Sequence, residues 1–234
     1  MDRRENEPRL LMGRRAAAHV FMPNVYVFPG GRVDYADRFA PFCTDYDQDT
    51  QDLLMQRMAG RPSLLRARMM GIAAIRETFE EVGIRIGRKS SGATRISRSD
   101  WQKFAETGSL PDLSHLNFLA RAITPPGQKR RYDTRFFICD VSDLLKTQTP
   151  VASEELEAIR WVTLAEAEDL KTHFITKRIL MAVDQALKQN EFGKKVTQAP
   201  FYRAKPGSRG KAKLMTILRP GLEPELAGEV EAEI

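Results

Sequence analysis

The chain of 234 residues has only two cysteines, three histidines and two tryptophans. Cys43 and Cys139 are too few for a disulfide framework and have no metal-ligand spacing, so buried free thiols in a reducing compartment are expected. His19, His115 and His173 share no spacing and read as structural or surface residues. Nowhere does an apolar run approach the ~18 residues of a membrane span. The start, Met1-Asp2-Arg3-Arg4-Glu5-Asn6-Glu7, lacks the apolar core of a secretory leader, and its acids oppose an organellar transit peptide. The end, Glu231-Ala232-Glu233-Ile234, is no peroxisomal address. Cytoplasm is therefore the expected location. Internal repeats and zinc-finger spacings are absent as well.

What is present suits one compact domain, or at most two. With 42% apolar residues the chain can bury a substantial core. The net charge of +6 is unevenly spread: Lys194, Lys195, Arg203, Lys205, Arg209, Lys211 and Lys213 crowd one segment, and Glu223, Glu225, Glu229, Glu231 and Glu233 follow. We therefore expect a domain over residues 1–192 and a flexible, basic-then-acidic tail over 193–234 that stays extended or disordered. Basic side chains alone can hold phosphates, but no recognition motif accompanies them, so nucleic acid is not the expected partner.

The stretch Arg76-Glu77-Thr78-Phe79-Glu80-Glu81-Val82-Gly83-Ile84 carries the most chemistry. At 100° per residue Glu77, Glu80 and Glu81 share one helical arc, while Ile72, Ile75, Phe79 and Val82 face the other way. Like charges three and four apart repel. A solvated acidic face would tolerate that, and a divalent cation would remove it, because Mg²⁺ takes carboxylates, waters and substrate phosphates together. Upstream, Val25-Tyr26-Val27-Phe28 reads as a strand leading into Pro29-Gly30-Gly31-Arg32-Val33-Asp34, where paired glycines let the backbone approach a ligand.

Together these residues resemble a Nudix box, the loop–helix–loop signature G-x5-E-x7-R-E-U-x-E-E-x-G-U. Gly31 is its first glycine, and Arg76, Glu77, Phe79, Glu80, Glu81, Gly83 and Ile84 fill its second half. Phe79 is aromatic where an aliphatic is usual, and Asp37 replaces the first glutamate with a stem one methylene shorter. Between Asp37 and Arg76 lie 38 residues (76 − 37 − 1) in place of seven, so an insertion over 38–68 splits the box. Closing the longer loop costs only about 1.5 kcal/mol. A split box is similar to that of the acyl-coenzyme A diphosphatase branch of the family. Leu10-Leu11-Met12-Gly13-Arg14-Arg15 loosely resembles the coenzyme A-associated motif LLTxR-S-x3-R, without its threonine and serine.

The coarse order of elements is mixed: strands near 8–13, 25–28, 117–124, 134–141 and 157–162, and helices near 50–58, 69–82, 100–106, 164–171 and 176–189, with a loop over 88–99. Interleaving of this kind suits an α+β protein. The resemblance implies a Nudix-type α/β/α sandwich with a mixed sheet.

It also implies hydrolysis of a nucleoside diphosphate linked to another moiety, with Mg²⁺ or Mn²⁺ as cofactor. Glu77 and Glu81 are the expected principal metal ligands, Glu80 a third ligand or a holder of metal waters, and the carbonyl of Gly31 a ligand inferred from the family. Arg76 is expected to orient a glutamate, and Asp37 to stand behind the ligands or take no part. The general base is Glu77, or Glu154 or Glu155 ahead of the Trp161 strand. Gly30, Arg32, Lys129, Arg130 and Arg131 are candidates for diphosphate oxygens, since guanidinium forks match them, and Tyr132 for stacking on a base. Coenzyme A or its thioesters is the leading substrate. ADP-ribose, a dinucleotide, and a non-catalytic module that senses nucleotides or binds nucleic acid are the alternatives. The oligomeric state stays open, a homodimer included.

Overall fold

The computed structural model describes residues 1–17, 23–90, 99–189, 198–204 and 212–231. His19 and the basic residues Lys194, Lys195, Lys205, Arg209 and Lys211 lie outside them. The chain divides into two compact units. The first comprises Met1–Tyr46, Leu64–Leu116 and Cys139–His173, the second Asp47–Ser63, Asn117–Ile138 and Phe174–Ile234.

In the first unit β1 (Leu10–Arg15) is the centre of an antiparallel sheet, between β2 (Tyr26–Val27) and β7 (Leu156–Val162). Gly13 pairs with Val27 and Leu10 with Val162, and the β1–β7 register slips between Met12 and Arg14. The main helix of this unit, α2 (Leu64–Val82), buries Ala67, Ile72, Ile75 and Val82 at helical spacing. It starts five residues earlier than the spacing from Met69 suggested. Gly83 ends it, its N–H reaching the Phe79 carbonyl at 2.9 Å. Beyond come the hairpin β3 (Gly87–Lys89) and β4 (Ser109–Pro111), α3 (Ser99–Glu106) and α4 (Leu164–Glu168). Neither β3 nor β4 was expected, since three residues are too short for a periodic signal. Thr163 and Glu166 cap α4 reciprocally, at 3.2 and 2.8 Å.

The first part of the insertion is stitched into this unit. Cys43 N–H donates to the Pro111 carbonyl, Leu113 N–H to the Thr44 carbonyl, and Arg68 pairs with Asp45 at 2.6 Å. Cys43 is exposed, against the expectation of a buried thiol, because its loop runs along the surface; Cys139 is buried.

The second unit holds α1 (Gln48–Met55), from the rest of the insertion, and a five-stranded mixed sheet in the order β10-β9-β8-β5-β6. Its strands are β5 (Asn117–Ile123), β6 (Asp133–Ile138), β8 (Ala199–Ala204), β9 (Ala212–Arg219) and β10 (Leu222–Glu231), and only β5 and β8 run parallel. The charge blocks after residue 193 pointed to an extended tail, whereas its described residues form β8 to β10. Apolar residues are spaced through those blocks, and Ala199, Phe201, Thr216 and Leu218 are buried. α5 (Phe174–Lys188) buries Ile179, Leu180, Ala182 and Val183. Arg121 on β5 is nearly inaccessible: its fork meets both Asp133 oxygens at 2.8 Å, two groups donate to the Gln56 and Arg57 carbonyls, and the cation lies 4.6 Å from the Phe201 ring centre. Among the described residues no helix is long and apolar enough to cross a membrane.

Candidate active site

Strand β2 delivers the chain to the turn Phe28-Pro29-Gly30-Gly31-Arg32, and α2 carries the acids that meet it. Gly30 has a φ of +147°, a region that side chains disfavour. At Gly31 the constraint is space, because a Cβ there would collide with the Glu77 carboxylate. One glycine supplies the bend and the other the close approach.

The contact is made by hydrogen bonds on either side of Gly31. Gly30 N–H donates to Glu81 Oε2 at 2.7 Å, and Arg32 N–H donates to Glu77 Oε1 at 3.2 Å. Glu80 lies further out, its side chain 37% exposed against 16% for Glu77. Burial raises the Glu81 carboxyl to about 8, and the charges of Glu77 and Glu155 add to it. The Gly30 N–H and the charge of Arg15, at the end of β1, pull the other way without offsetting it.

Arg76 ties the acids together. Its Nε donates to Asp37 Oδ1 at 2.9 Å, Nη2 to Asp37 Oδ2 at 3.2 Å and to the Arg32 carbonyl at 2.9 Å. Nη1 is shared between Glu77 Oε1 and Glu80 Oε2, each at 3.0 Å. Burial by itself would lower the guanidinium pKa, but the Asp37 bond and the charges of Asp37, Glu77 and Glu80 hold it above its ordinary value. Arg76 thus bonds Asp37, Glu77 and Glu80 at once. Asp37 is 0% exposed, sits inside the 3-10 turn Tyr35–Phe39 that Asp34 caps, and takes further bonds from Asp34 N–H at 2.7 Å and Trp101 Nε1 at 3.1 Å. Four donors use up its lone pairs.

Glu154 and Glu155 lie on the exposed loop before β7, where Ser153 Oγ accepts from the backbone of Glu155 and Leu156. The charge of Glu155 reaches Glu81. Lys129, Arg130 and Arg131 are exposed in the β5–β6 loop of the second unit, where Arg131 Nε donates to the Thr124 carbonyl at 3.1 Å and Tyr132 N–H to Thr124 Oγ1. The structure thus brings Gly30, Gly31, Arg32, Arg76, Glu77, Glu80 and Glu81 together in one unit, with Glu155 near. Trp101 was missed, since a lone indole 64 residues from Asp37 leaves no spacing signal.

Among the described residues no three His, Cys, Asp or Glu side chains already converge as a metal cage. Mg²⁺ does not demand one: it keeps several waters and takes one or two carboxylates beside substrate oxygens. Hard oxygens, a buried carboxyl that resists ionisation in isolation and an open backbone turn fit such an ion.

The NUDIX domain family matches residues 70–183, beginning inside α2 and so covering the unbroken second half of the box. The chain is similar to acyl-coenzyme A diphosphatase NUDT19 of Xenopus laevis, 25% identical over 213 residues, covering 71% of this chain and 56% of that protein. Proteins of the same name from Gallus gallus and Homo sapiens are 27% and 28% identical, covering 68% and 76% of this chain and 54% and 58% of theirs. The chain thus spans little more than half the length of these curated relatives. A crystal structure of a NUDIX hydrolase from Alicyclobacillus acidocaldarius superposes with a TM-score of 0.56 at 24% identity, over 80% of this chain and 90% of that one. The fold is the Nudix fold.

Proposed function

We propose that this chain, a member of the Nudix family, is a divalent-cation-dependent hydrolase of a diphosphate linkage in a nucleoside diphosphate joined to another group, with coenzyme A or an acyl-coenzyme A as substrate. The observation that carries the reading is the seating of Glu77 and Glu81 on the amides of Arg32 and Gly30, either side of Gly31. That arrangement sets two carboxylates against a bare backbone turn.

Glu77 and Glu81, with Glu80 and the Gly31 carbonyl, would hold Mg²⁺ or Mn²⁺. When bound, such an ion neutralises diphosphate charge and makes a coordinated water more acidic. Arg76 holds Glu77 and Glu80 in register. The glycine turn gives the diphosphate close access, and the exposed Arg32 side chain neutralises its outer oxygens. Glu155 is our choice of proton acceptor for the attacking water, because it is exposed and its charge is felt at Glu81, whereas Glu77 is already engaged by Arg76 and Arg32 N–H. The split box, the Leu10–Arg15 strand and the names of the relatives support the coenzyme A class.

A panel of coenzyme A, an acyl-coenzyme A, ADP-ribose and a dinucleoside polyphosphate, each with Mg²⁺ and with Mn²⁺, tests the proposal. Release of adenosine 3′,5′-bisphosphate together with a 4′-phosphopantetheine product is expected, and chelation should abolish it. Preferential cleavage of ADP-ribose or the dinucleotide would replace the substrate and keep the mechanism. Losing the partner of a ligand typically costs about 10–100-fold, so Glu81→Gln, which loses a ligand itself, should reduce kcat by more than about 100-fold with the fold retained. A Glu81→Gln protein at parental rate would remove the mechanism.

A further inference from the structure

We infer that Trp101, which lies outside the Nudix box, is a positioning residue for the acid ridge, acting through Asp37 and Arg76. The inference rests on the cation-dependent reading given above. Trp101 and Asp37 are both 0% exposed. Asp37 Oδ1 accepts from Arg76 Nε at 2.9 Å and from Trp101 Nε1 at 3.1 Å, while Oδ2 accepts from Arg76 Nη2 and Asp34 N–H. Four donors therefore fix this carboxylate. Arg76, gripped at one end by Asp37, sets Glu77 and Glu80 with its remaining nitrogen. The relay runs from an indole N–H to a ligand carboxylate through bonds of 2.9 to 3.1 Å.

The same helix accounts for two of the departures from the box, Asp37 and Phe79. Asp37 has a shorter stem than the usual glutamate, and Trp101 supplies the extra donor that anchors it. Phe79 is aromatic where an aliphatic is usual, and Phe104 on α3 meets it edge-to-face with ring centres 5.2 Å apart. Phe104 also packs edge-to-face on Trp101 at 5.4 Å, which locks the indole in place. Helix α3 thus replaces, from outside the box, what the box has lost.

The test follows the indole N–H signal of Trp101 by NMR in the intact protein, assigned by its loss in Trp101→Phe, while MgCl₂ is added. A saturable shift is expected. Trp101→Phe keeps the ring packing and deletes only the donor, and it should bind Mn²⁺, read by the paramagnetic resonance of the free ion, about tenfold more weakly than the parent. Restoring the longer acid, Asp37→Glu, in the Trp101→Phe background should recover most of that loss, while Asp37→Glu in the parent should weaken binding by crowding the indole. An indole signal that stays put at saturating Mg²⁺, or a folded Trp101→Phe with parental Mn²⁺ affinity, overturns the inference. If Trp101→Phe fails to fold, the parent titration decides alone. A parent that shifts the indole signal yet cleaves no diphosphate would sink the proposed function and leave the positioning role standing. Cleavage with an unmoved signal would do the reverse, and a parent that binds neither ion would remove both.

Discussion

Two buried arginines, one in each unit, organise opposite kinds of charge. Arg121 meets a single carboxylate, Asp133, and its other nitrogens end on carbonyls. Burial would raise the Asp133 pKa, yet the Arg121 bond and the charges of Arg135 and Arg121 hold it below the ordinary value. The fold therefore favours the ionised Asp133, as in a structural ion pair. Arg76 instead gathers three carboxylates, Asp37, Glu77 and Glu80, with Glu81 alongside, and Glu81 is pushed up to about 8. At Glu81 the fold disfavours the charge. A cluster that leaves one acid, Glu81, electrostatically unsatisfied suits a cation, and a cluster whose acid is satisfied is a strut.

Replacing each arginine by lysine gives the largest separation of the two. Lysine keeps the charge and loses the fork. Arg76→Lys cannot hold Asp37, Glu77 and Glu80 at once, so kcat should fall about 10–100-fold. Arg121→Lys should instead act on stability, by about 3 kcal/mol, the lower end for a broken buried pair, with kcat per folded molecule retained. Urea unfolding and steady-state kinetics on the two variants check this; equal loss of kcat in both would erase the distinction.

The second contrast is in pH. Asp133, with its pKa depressed, adds stability above the ordinary carboxylate range and loses it as pH falls through its folded value. Glu81, with its pKa raised, has the opposite sign: the metal-free fold loses stability as pH climbs from the ordinary carboxylate value to about 8. Cation binding requires the ionised form, so Mn²⁺ affinity should weaken by about tenfold per pH unit below about 8. Calorimetric Tm with and without Mn²⁺ should accordingly diverge as pH rises from 6 to 8. In Glu81→Gln that divergence should shrink.

How legible all this was depends on the range of the interaction. Glu77, Glu80, Glu81 and Arg76 lie within one helical turn or two, so 3.6-residue spacing displayed them, and the glycine pair announced a turn. The clamp on Asp37 was not legible, because it joins residues 37, 76 and 101 through tertiary packing. Strands β9 and β10 were hidden for a different reason. Net charge is a property of the whole tail, while pairing depends on alternate residues such as Thr216 and Leu218, which are buried. The β5–β8 pairing joins residues 121 and 201, a separation that no local pattern reports.

The smallest expected effect bears on how α3 acts. Phe79→Leu restores the aliphatic usual at that box position and removes the edge-to-face contact with Phe104. Such a pair contributes about 0.5–1.5 kcal/mol beyond its buried area, so the urea midpoint should drop slightly. The hydrogen bonds from Arg76 to Glu77 and Glu80 do not involve this ring, and neither do the amides of Gly30 and Arg32. Mn²⁺ affinity and kcat should then stay within about twofold of the parent, since packing changes away from the hydrogen-bonded network couple weakly to it. If Phe79→Leu weakened Mn²⁺ binding as much as Trp101→Phe, α3 would be acting through packing on α2, and the indole N–H would lose its separate place in the site.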